Sequence, residues 1–365
     1  MTAGPERSAE RRPAQRSARE VYRDLLPELM LADERLYCLD SDTGLFDPDA
    51  FADFPGRYLN LGIAEQALMG TAAGLAASGK IPFVTTMATF ATTRALEAVK
   101  IDIVYNALPV RIVATHGGLA AGHLGPTHHA LEDLAVTRTL PGLTVVVPAD
   151  AAQAEAAIRQ AAALPGPLYV RLGRKATPDV ASALNVAGGG SNADGGSNAG
   201  GGANADGGSD AGGGAFEIGR AQRLRPGRDL AIIACGPHPV LAALDAADRL
   251  AEHGVRAAVL NLHTLRPLDA DAVVGAVAGT AGAVTVEEHW RSGGLGGAVA
   301  ETLAEHAPAR VVRVGMPDTF AERAGGQRDL LDRYGITADA VVAAATDLIG
   351  RIPGGGTDDP DLSRV

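Results

Sequence analysis

Three places in the sequence gather residue types able to do chemistry. Four of the nine histidines, His116, His123, His128 and His129, fall within fourteen residues of a glycine-rich stretch, THGGLAAGHLGPTHH. Imidazole donates and accepts protons near neutral pH and is also a common metal ligand. A zinc site would need companion thiolates or carboxylates at ligand spacing, and this stretch offers none. Proton transfer and hydrogen bonding to a polyhydroxylated substrate therefore fit better. Loop histidines that merely face solvent are the bland alternative. Glu65, in GIAEQ, follows RYLNL and opens an Ala-rich run with apolar residues on both sides. Burial would penalise its charge while a helix N-terminus would favour it, but an acid in a first turn is more often a simple dipole cap. Arg171 and Arg174 follow the apolar run PLYV. There they would either grip a phosphate or carboxylate with planar forks of donors or form an exposed surface pair.

Elements must hold these groups together. The runs RLYCLD, IPFVTT, PVRIVATH, LTVVVPA and PLYVRLG alternate with the helical stretches EQALMGTAAGLAAS, TTRALEAVKIDIVYNA, LEDLAVTRTL and AAQAEAAIRQAAA. That order is what a parallel sheet wrapped by helices produces. Ligands in such sheets sit beyond the strand C-termini, where both the histidine stretch and VRLGRK fall. The pattern resumes with DLAIIACG, PVLAALDAADRLAEHG, RAAVLNLH, DADAVVGAVAG, GAVTVEEH, GGLGGAVAETLAEHA and ARVVRVGM. Between the two sets, residues 188–214 repeat GGGSNADGGSNAGGG-like units with no large apolar side chain, so they cannot offset the entropy of ordering. The expected fold class is α/β, with two open sheet domains wrapped by helices. The first covers 15–185 and the second 216–351, joined by a flexible Gly/Ser/Asn-rich linker over 186–215 and followed by a disordered tail over 352–365.

Composition narrows the function classes. A chain of 365 residues suits two domains, and 46% hydrophobic with 21% charged residues describes an ordinary globular protein. With 32 Lys and Arg against 43 Asp and Glu, and no basic stripe, nucleic acid is an unsuitable partner. No apolar run reaches the roughly 18 residues of a membrane span, and no signal core opens the chain, so a cytoplasmic location is expected. Cys38 and Cys235 lie in apolar strand-like contexts and read as small buried hydrophobes.

Taken in order, RYLNLGIAEQALMGTAAGLAASGKIPFVTTMATFATTRALEAV, THGGL, GPTHHALEDLAVTRTLPGLTVVVPAD, GPLYVRLGRK, IIACG, TLRPLD, VTVEEHWRSGGLGGAVAE and LLDRYGI resemble the second half of transketolases over nearly the whole chain. The resemblance implies a pyrimidine-binding domain followed by a transketolase C-terminal domain, with a thiamine diphosphate site built between two kinds of domain. It implies that Glu65 hydrogen-bonds the aminopyrimidine and activates the coenzyme, that Phe90 packs on the pyrimidine ring, and that Asp42 lines the cofactor pocket. Met87 and Thr93 stand where the family carries further aromatics, which implies a softer wall. His116 and His128 match histidines that contact sugar hydroxyls or the transferred unit, and Arg19 and Arg174 match arginines that hold a sugar phosphate.

Two departures from the family pattern carry consequences. Where the family loop reads Gly, acid, Asp, Gly before PTH, this chain reads Gly122, His123, Leu124, Gly125. Leu124 cannot accept the hydroxyl that the missing aspartate recognises, so ordinary pentose phosphates are in doubt and a specialised ketose or acceptor is expected. No GDG followed by a later Asn occurs either. The diphosphate, with its Mg2+ or Ca2+, is therefore expected on a separate N-terminal-type subunit, in a heterotetramer with two of each chain. The competing readings are the β subunit of a 2-oxoacid dehydrogenase, a deoxyxylulose-phosphate-synthase-like subunit, or a non-catalytic partner. The THGGL and GPTHH segments and the phosphate-type arginines favour ketol transfer.

Overall fold

Residues 16–181 and 215–350 are described in this computed structural model, so the expected linker, apart from Ala215, and the expected tail lie outside the described residues. Ser17 starts the first helix, α1 (Ala18–Ala32), with a capping box: its hydroxyl accepts from the Glu20 amide, and the Glu20 carboxylate accepts from the Ser17 amide. Val21, Tyr22, Leu25, Leu26 and Met30 recur at helical spacing and form its buried face.

The first sheet takes β1 (Leu36–Asp40), β2 (Tyr58–Asn60), β3 (Ile81–Met87), β4 (Arg111–Thr115), β5 (Thr144–Val146) and β6 (Leu168–Arg171). Its helices are α1, α2 (Glu65–Ala77), α3 (Ala88–Thr92), α4 (Leu96–Ala98), α5 (Asp133–Thr139) and α6 (Ala151–Ala163). The second part contains β7 (Gln222–Arg225), β8 (Leu230–Ala234), α7 (Pro237–Glu252), β9 (Ala257–Asn261), β10 (Thr264–Arg266), α8 (Ala270–Val277), β11 (Ala283–Trp290), α9 (Leu295–His306), β12 (Val311–Met316), α10 (Gln327–Arg333) and α11 (Ala338–Gly350). β4 and β8 are buried along their whole length, which is why β8, LAIIA, and the centre of β4, residues 112–114, read as apolar runs without alternation. The fold is α/β with two sheets, of seven and five strands, as the alternation of runs implies.

Two features depart from that reading. The stretch TTRALEAVKIDIVYNA is not one helix: it breaks after α3, and α4 runs on into a wider π turn over Val99–Val104. The hydroxyls of Thr92 and Thr93 bond back to the carbonyls of Ala88 and Thr89 at 2.9 and 2.6 Å, a competition that weakens the helix there. The second departure is β10. Although it belongs to the C-terminal half, it pairs antiparallel with β5 and forms the outer strand of the seven-stranded sheet, in the order β10-β5-β6-β4-β3-β1-β2. Leu265, Leu295 and Val299 share one buried cluster with Leu134, Val145 and Tyr169, so apolar packing runs unbroken from one sheet to the other.

Candidate active site

Parallel register sets the loops of the site side by side. Asp40 pairs with Thr85, Met87 with Thr115, and Ala114 with Arg171. The segments carrying Asp42, Met87, His116 and Arg174 therefore leave one edge of the sheet as neighbours.

Glu65 is the first residue of α2 and only 2% exposed. Its Oε2 accepts a hydrogen bond from Arg94 Nη1 at 2.8 Å, whereas Oε1 has no partner among the described residues. The Arg94 guanidinium lies over the Phe90 ring, 4.6 Å from its centre. Phe90 in turn meets the His128 ring edge-on at 5.3 Å. Glu65, Arg94, Phe90 and His128 thus form an unbroken line of contacts. Arg94 escaped the reading of the sequence. The available signal was its spacing of four from Phe90, which stacks a cation on an aromatic when the chain turns helically.

His116 directly follows β4 with a left-handed backbone, φ 60°, and is 4% exposed. Its Nδ1 lies 3.0 Å from the Thr115 hydroxyl. Burial, reinforced by Arg19, Arg174, His123 and His128, lowers its pKa to about 4, so the ring is neutral at physiological pH. Arg174 Nη1 is 3.5 Å from His123 Nδ1. Burial and the nearby Arg174 pull Arg19 below the usual arginine range. Neither Arg19 nor Arg174 forms an ion pair among the described residues, while Glu20 is engaged in the α1 cap. Two guanidinium groups without an ion pair beside the neutral His116 ring suit an anionic, hydroxylated ligand.

The remaining candidates are placed less tightly. Leu124 is 39% exposed on the short turn Gly122–Leu124, next to His123. Met87 is half-buried at the start of α3, and Thr93 is exposed. Asp42, exposed and left-handed at φ 59°, follows β1, where its charge is felt by Asp40 and Tyr58. Among the described residues it forms no hydrogen bond or ion pair with Glu65, Arg94 or His128. His129 is buried, and burial lowers its pKa.

Arg171 requires a correction. It is not half of a phosphate-gripping fork but a buried structural ion, with Nε 2.9 Å from Asp133 Oδ2. Its Nη2 donates to the carbonyls of Ala130 and Glu288 at 2.7 and 2.9 Å. Burial opposes its charge, yet Asp133 and Glu288 outweigh that and hold its pKa raised. A guanidinium so deeply desolvated persists only with an acid and carbonyls around it, and these partners lie 38 residues back and in the other half of the chain. Among the described residues, no group of three or more His, Cys, Asp or Glu side chains is arranged to hold a metal. No helix there is long and apolar enough to cross a membrane.

Fold and site together define a two-part α/β protein with a buried carboxylate beside a loop of histidines flanked by arginines, and comparison with known proteins places it. Residues 14–179 match the family described as transketolase, pyrimidine binding domain, and residues 219–341 match transketolase, C-terminal domain. The chain belongs to the transketolase family. It is 36% identical to the 6-deoxy-6-sulfo-D-fructose transketolase subunit SqwH of Clostridium sp. (strain MSTE9), over 91% of this chain and 94% of that one. An apulose-4-phosphate transketolase subunit of Phocaeicola vulgatus is also 36% identical, over 91% of this chain and 97% of its own. Among solved structures, a split gene transketolase in the form of an inactive beta4 tetramer shares 40% identity with a TM-score of 0.74, covering 92% of this chain and 98% of that one. This chain is accordingly a transketolase-type subunit homologous to chains of split transketolases.

Proposed function

We propose that this chain is the pyrimidine-binding and C-terminal subunit of a thiamine-diphosphate-dependent ketol transferase, active only with a separate diphosphate-binding subunit. Glu65 carries the reading. It is a carboxylate sequestered from water, with one oxygen held by Arg94 and the other free. A carboxylate oxygen with no protein partner, on a residue only 2% exposed and beside an aromatic ring, fits an aminopyrimidine, whose ring nitrogen and planar face call for those two groups. Glu65, Phe90 and Met87 would hold that ring, with Asp42 at the pocket's rim. When bound, thiamine diphosphate supplies a carbon nucleophile for a ketose carbonyl. Mg2+ or Ca2+ and the diphosphate would be gripped mainly by the partner, in a heterotetramer with two of each chain. Ile63, just before α2, is 75% exposed, and Ile101 and Tyr105, on the segment packed against α2, are 47% and 83% exposed. Exposed apolar side chains on these elements support a partner on the Glu65 side.

On the substrate side, His116 is neutral and so both donates to and accepts from sugar hydroxyls, with His128 and His123 near it. Arg19 and Arg174 would hold the anionic end of the sugar. Leu124 supports a donor other than an ordinary pentose phosphate. The relatives named for a sulfonated ketose and for apulose 4-phosphate support a specialised ketose with an anionic terminus. In the complex reconstituted with a GDG-bearing partner, Glu65→Gln should lower turnover about 10²- to 10⁴-fold with assembly intact, because an amide keeps the shape but not the proton affinity. Turnover at the wild-type rate rejects the reading. Release of carbon dioxide from a 2-oxoacid, with no transfer from a ketose, selects the decarboxylating alternatives.

A further inference from the structure

The loop between β4 and α5 carries His116, His123, Leu124 and His128, and its shape is set largely from the other half of the chain. At its base, Gly118 and Ala130 exchange backbone hydrogen bonds at 2.9 and 3.0 Å. The Leu119 amide donates to Glu288 Oε1 at 2.6 Å, and the Gly325 amide donates to the Gly122 carbonyl at 2.9 Å. Farther along, the Trp290 amide donates to the Leu131 carbonyl at 3.0 Å. Glu288 lies near the end of β11 and is 5% exposed. Gln327, at the start of α10, donates its Nε2 to both Glu288 oxygens at 2.9 and 3.1 Å. The fit is close: a Cβ on Gly118 would stand 2.6 Å from Glu288 Cγ, and one on Gly122 would stand 2.4 Å from the Gly325 carbonyl oxygen. Gly118 is also left-handed at φ 62°.

We infer that Glu288 is a positioning residue that reaches the site through Leu119, fixing where His116 and His128 stand relative to Glu65. The carboxylate is well suited to this. Its two oxygens accept from one backbone amide and one side-chain amide, and both donors are buried, so neither can turn to water instead. Removing it leaves two buried donors unsatisfied directly beneath the histidine loop. Glutamine keeps a carbonyl oxygen for Leu119 but sets an NH2 against the Gln327 NH2, so it preserves the main contact and weakens the second. The effect on turnover rests on the ketol-transfer reading, whereas the clamp itself does not.

The test uses the full chain in complex with its diphosphate-binding partner. Glu288→Ala should raise the KM for both ketose donor and aldehyde acceptor about 10- to 100-fold while the Kd for thiamine diphosphate stays within about two-fold, since the loop faces the sugar and Glu65 does not move. Glu288→Gln should restore KM to within about five-fold of wild type, because a carbonyl acceptor remains. Amide hydrogen exchange reads the clamp without reference to activity. Residues 117–131 should exchange about ten-fold faster in Glu288→Ala, with α2 unchanged. Unchanged KM values, unchanged exchange over 117–131, or a glutamine variant as impaired as the alanine one would overturn the assignment. Should Glu288→Ala fail to fold, Gln327→Ala decides: it should raise exchange and KM by about two- to five-fold through loss of the second contact, and wild-type values refute the role. A wild-type complex inert toward every ketose would instead remove the ketol-transfer reading and leave the clamp to stand or fall on exchange alone.

Discussion

On the ketol-transfer reading proposed above, replacing Leu124 with aspartate should change which ketose the reconstituted complex prefers. Leu124 is 39% exposed, so most of its apolar contact is already modest. Losing the isobutyl group should cost about 1 to 2 kcal/mol of folding, against about 1.5 to 3 kcal/mol for a fully buried leucine. The new carboxylate would stand beside His123, which lies 3.5 Å from Arg174, so the local field favours it. A hydrogen bond from a substrate hydroxyl to a charged acceptor is worth about 1.5 to 3 kcal/mol. At about 1.4 kcal/mol per decade, kcat/KM for a hydroxylated pentose phosphate such as xylulose 5-phosphate should rise about 10- to 150-fold relative to the enzyme's own best donor. The assay is donor competition in the reconstituted complex, with thermal unfolding as a control. A donor ratio unchanged in a variant that assembles and melts like wild type would refute the reasoning, because the loop would then not face the donor hydroxyl.

Two further outcomes follow from buried charge. His263 is fully buried, stacks on Phe216 at 4.1 Å, and has its pKa lowered to about 4 by burial. Its folded pKa lies below the unfolded value, so the unfolded chain binds the proton first. The stability this residue contributes is complete above about pH 6.5 and is lost as pH falls toward 4, with about 2 kcal/mol gone at pH 5. Urea unfolding of His263→Leu at pH 7 and pH 5 should show a pH dependence smaller than wild type by that amount, and equal slopes reject it. Arg171→Met should destabilise the fold by about 3 to 5 kcal/mol, since Asp133 would stay buried with its charge uncompensated. The double variant with Asp133→Asn should recover part of that loss, and a single variant within about 1 kcal/mol of wild type would contradict the ion's structural role.

The order of elements was legible because each buried strand is a short β-branched run and each helix an Ala-rich one. GIAEQ showed where α2 begins, since Glu65 ends one pattern and starts the other. The break after α3 was harder to see: Thr92 and Thr93 act through their hydroxyls, which periodicity ignores. β10 was invisible for a different reason. Three residues, Thr264–Arg266, carry no signal for which sheet they join, and only the tertiary packing puts them against β5. The histidine cluster could be found by counting, but its charge state could not, because the low pKa of His116 depends on burial and on Arg19, nearly a hundred positions away. Arg171 and Arg174 looked alike in VRLGRK. They differ because Arg171 lies on the strand and faces Asp133, while Arg174 lies past it and forms no ion pair among the described residues.

Strain and clamp belong to one arrangement. His116 holds φ 60°, a left-handed conformation that costs a non-glycine residue about 1 to 2 kcal/mol. Such a cost persists only where the surroundings over-determine the backbone. Here they do: Gly118 and Ala130 close the loop behind His116, Arg171 ties Ala130 to the Glu288 carbonyl, and the Glu288 side chain holds Leu119. The same β11 end that supplies Glu288 also sets Glu287 against the amides of Leu295 and Gly296 at 2.7 and 2.8 Å, anchoring the strand to the start of α9. The C-terminal sheet is thus the rigid body against which the histidine loop is braced. An imidazole held neutral and in a strained pose needs a brace of that kind, because a relaxed loop would let His116 return to an extended backbone and turn its ring away from the sheet edge it shares with Met87 and Arg174.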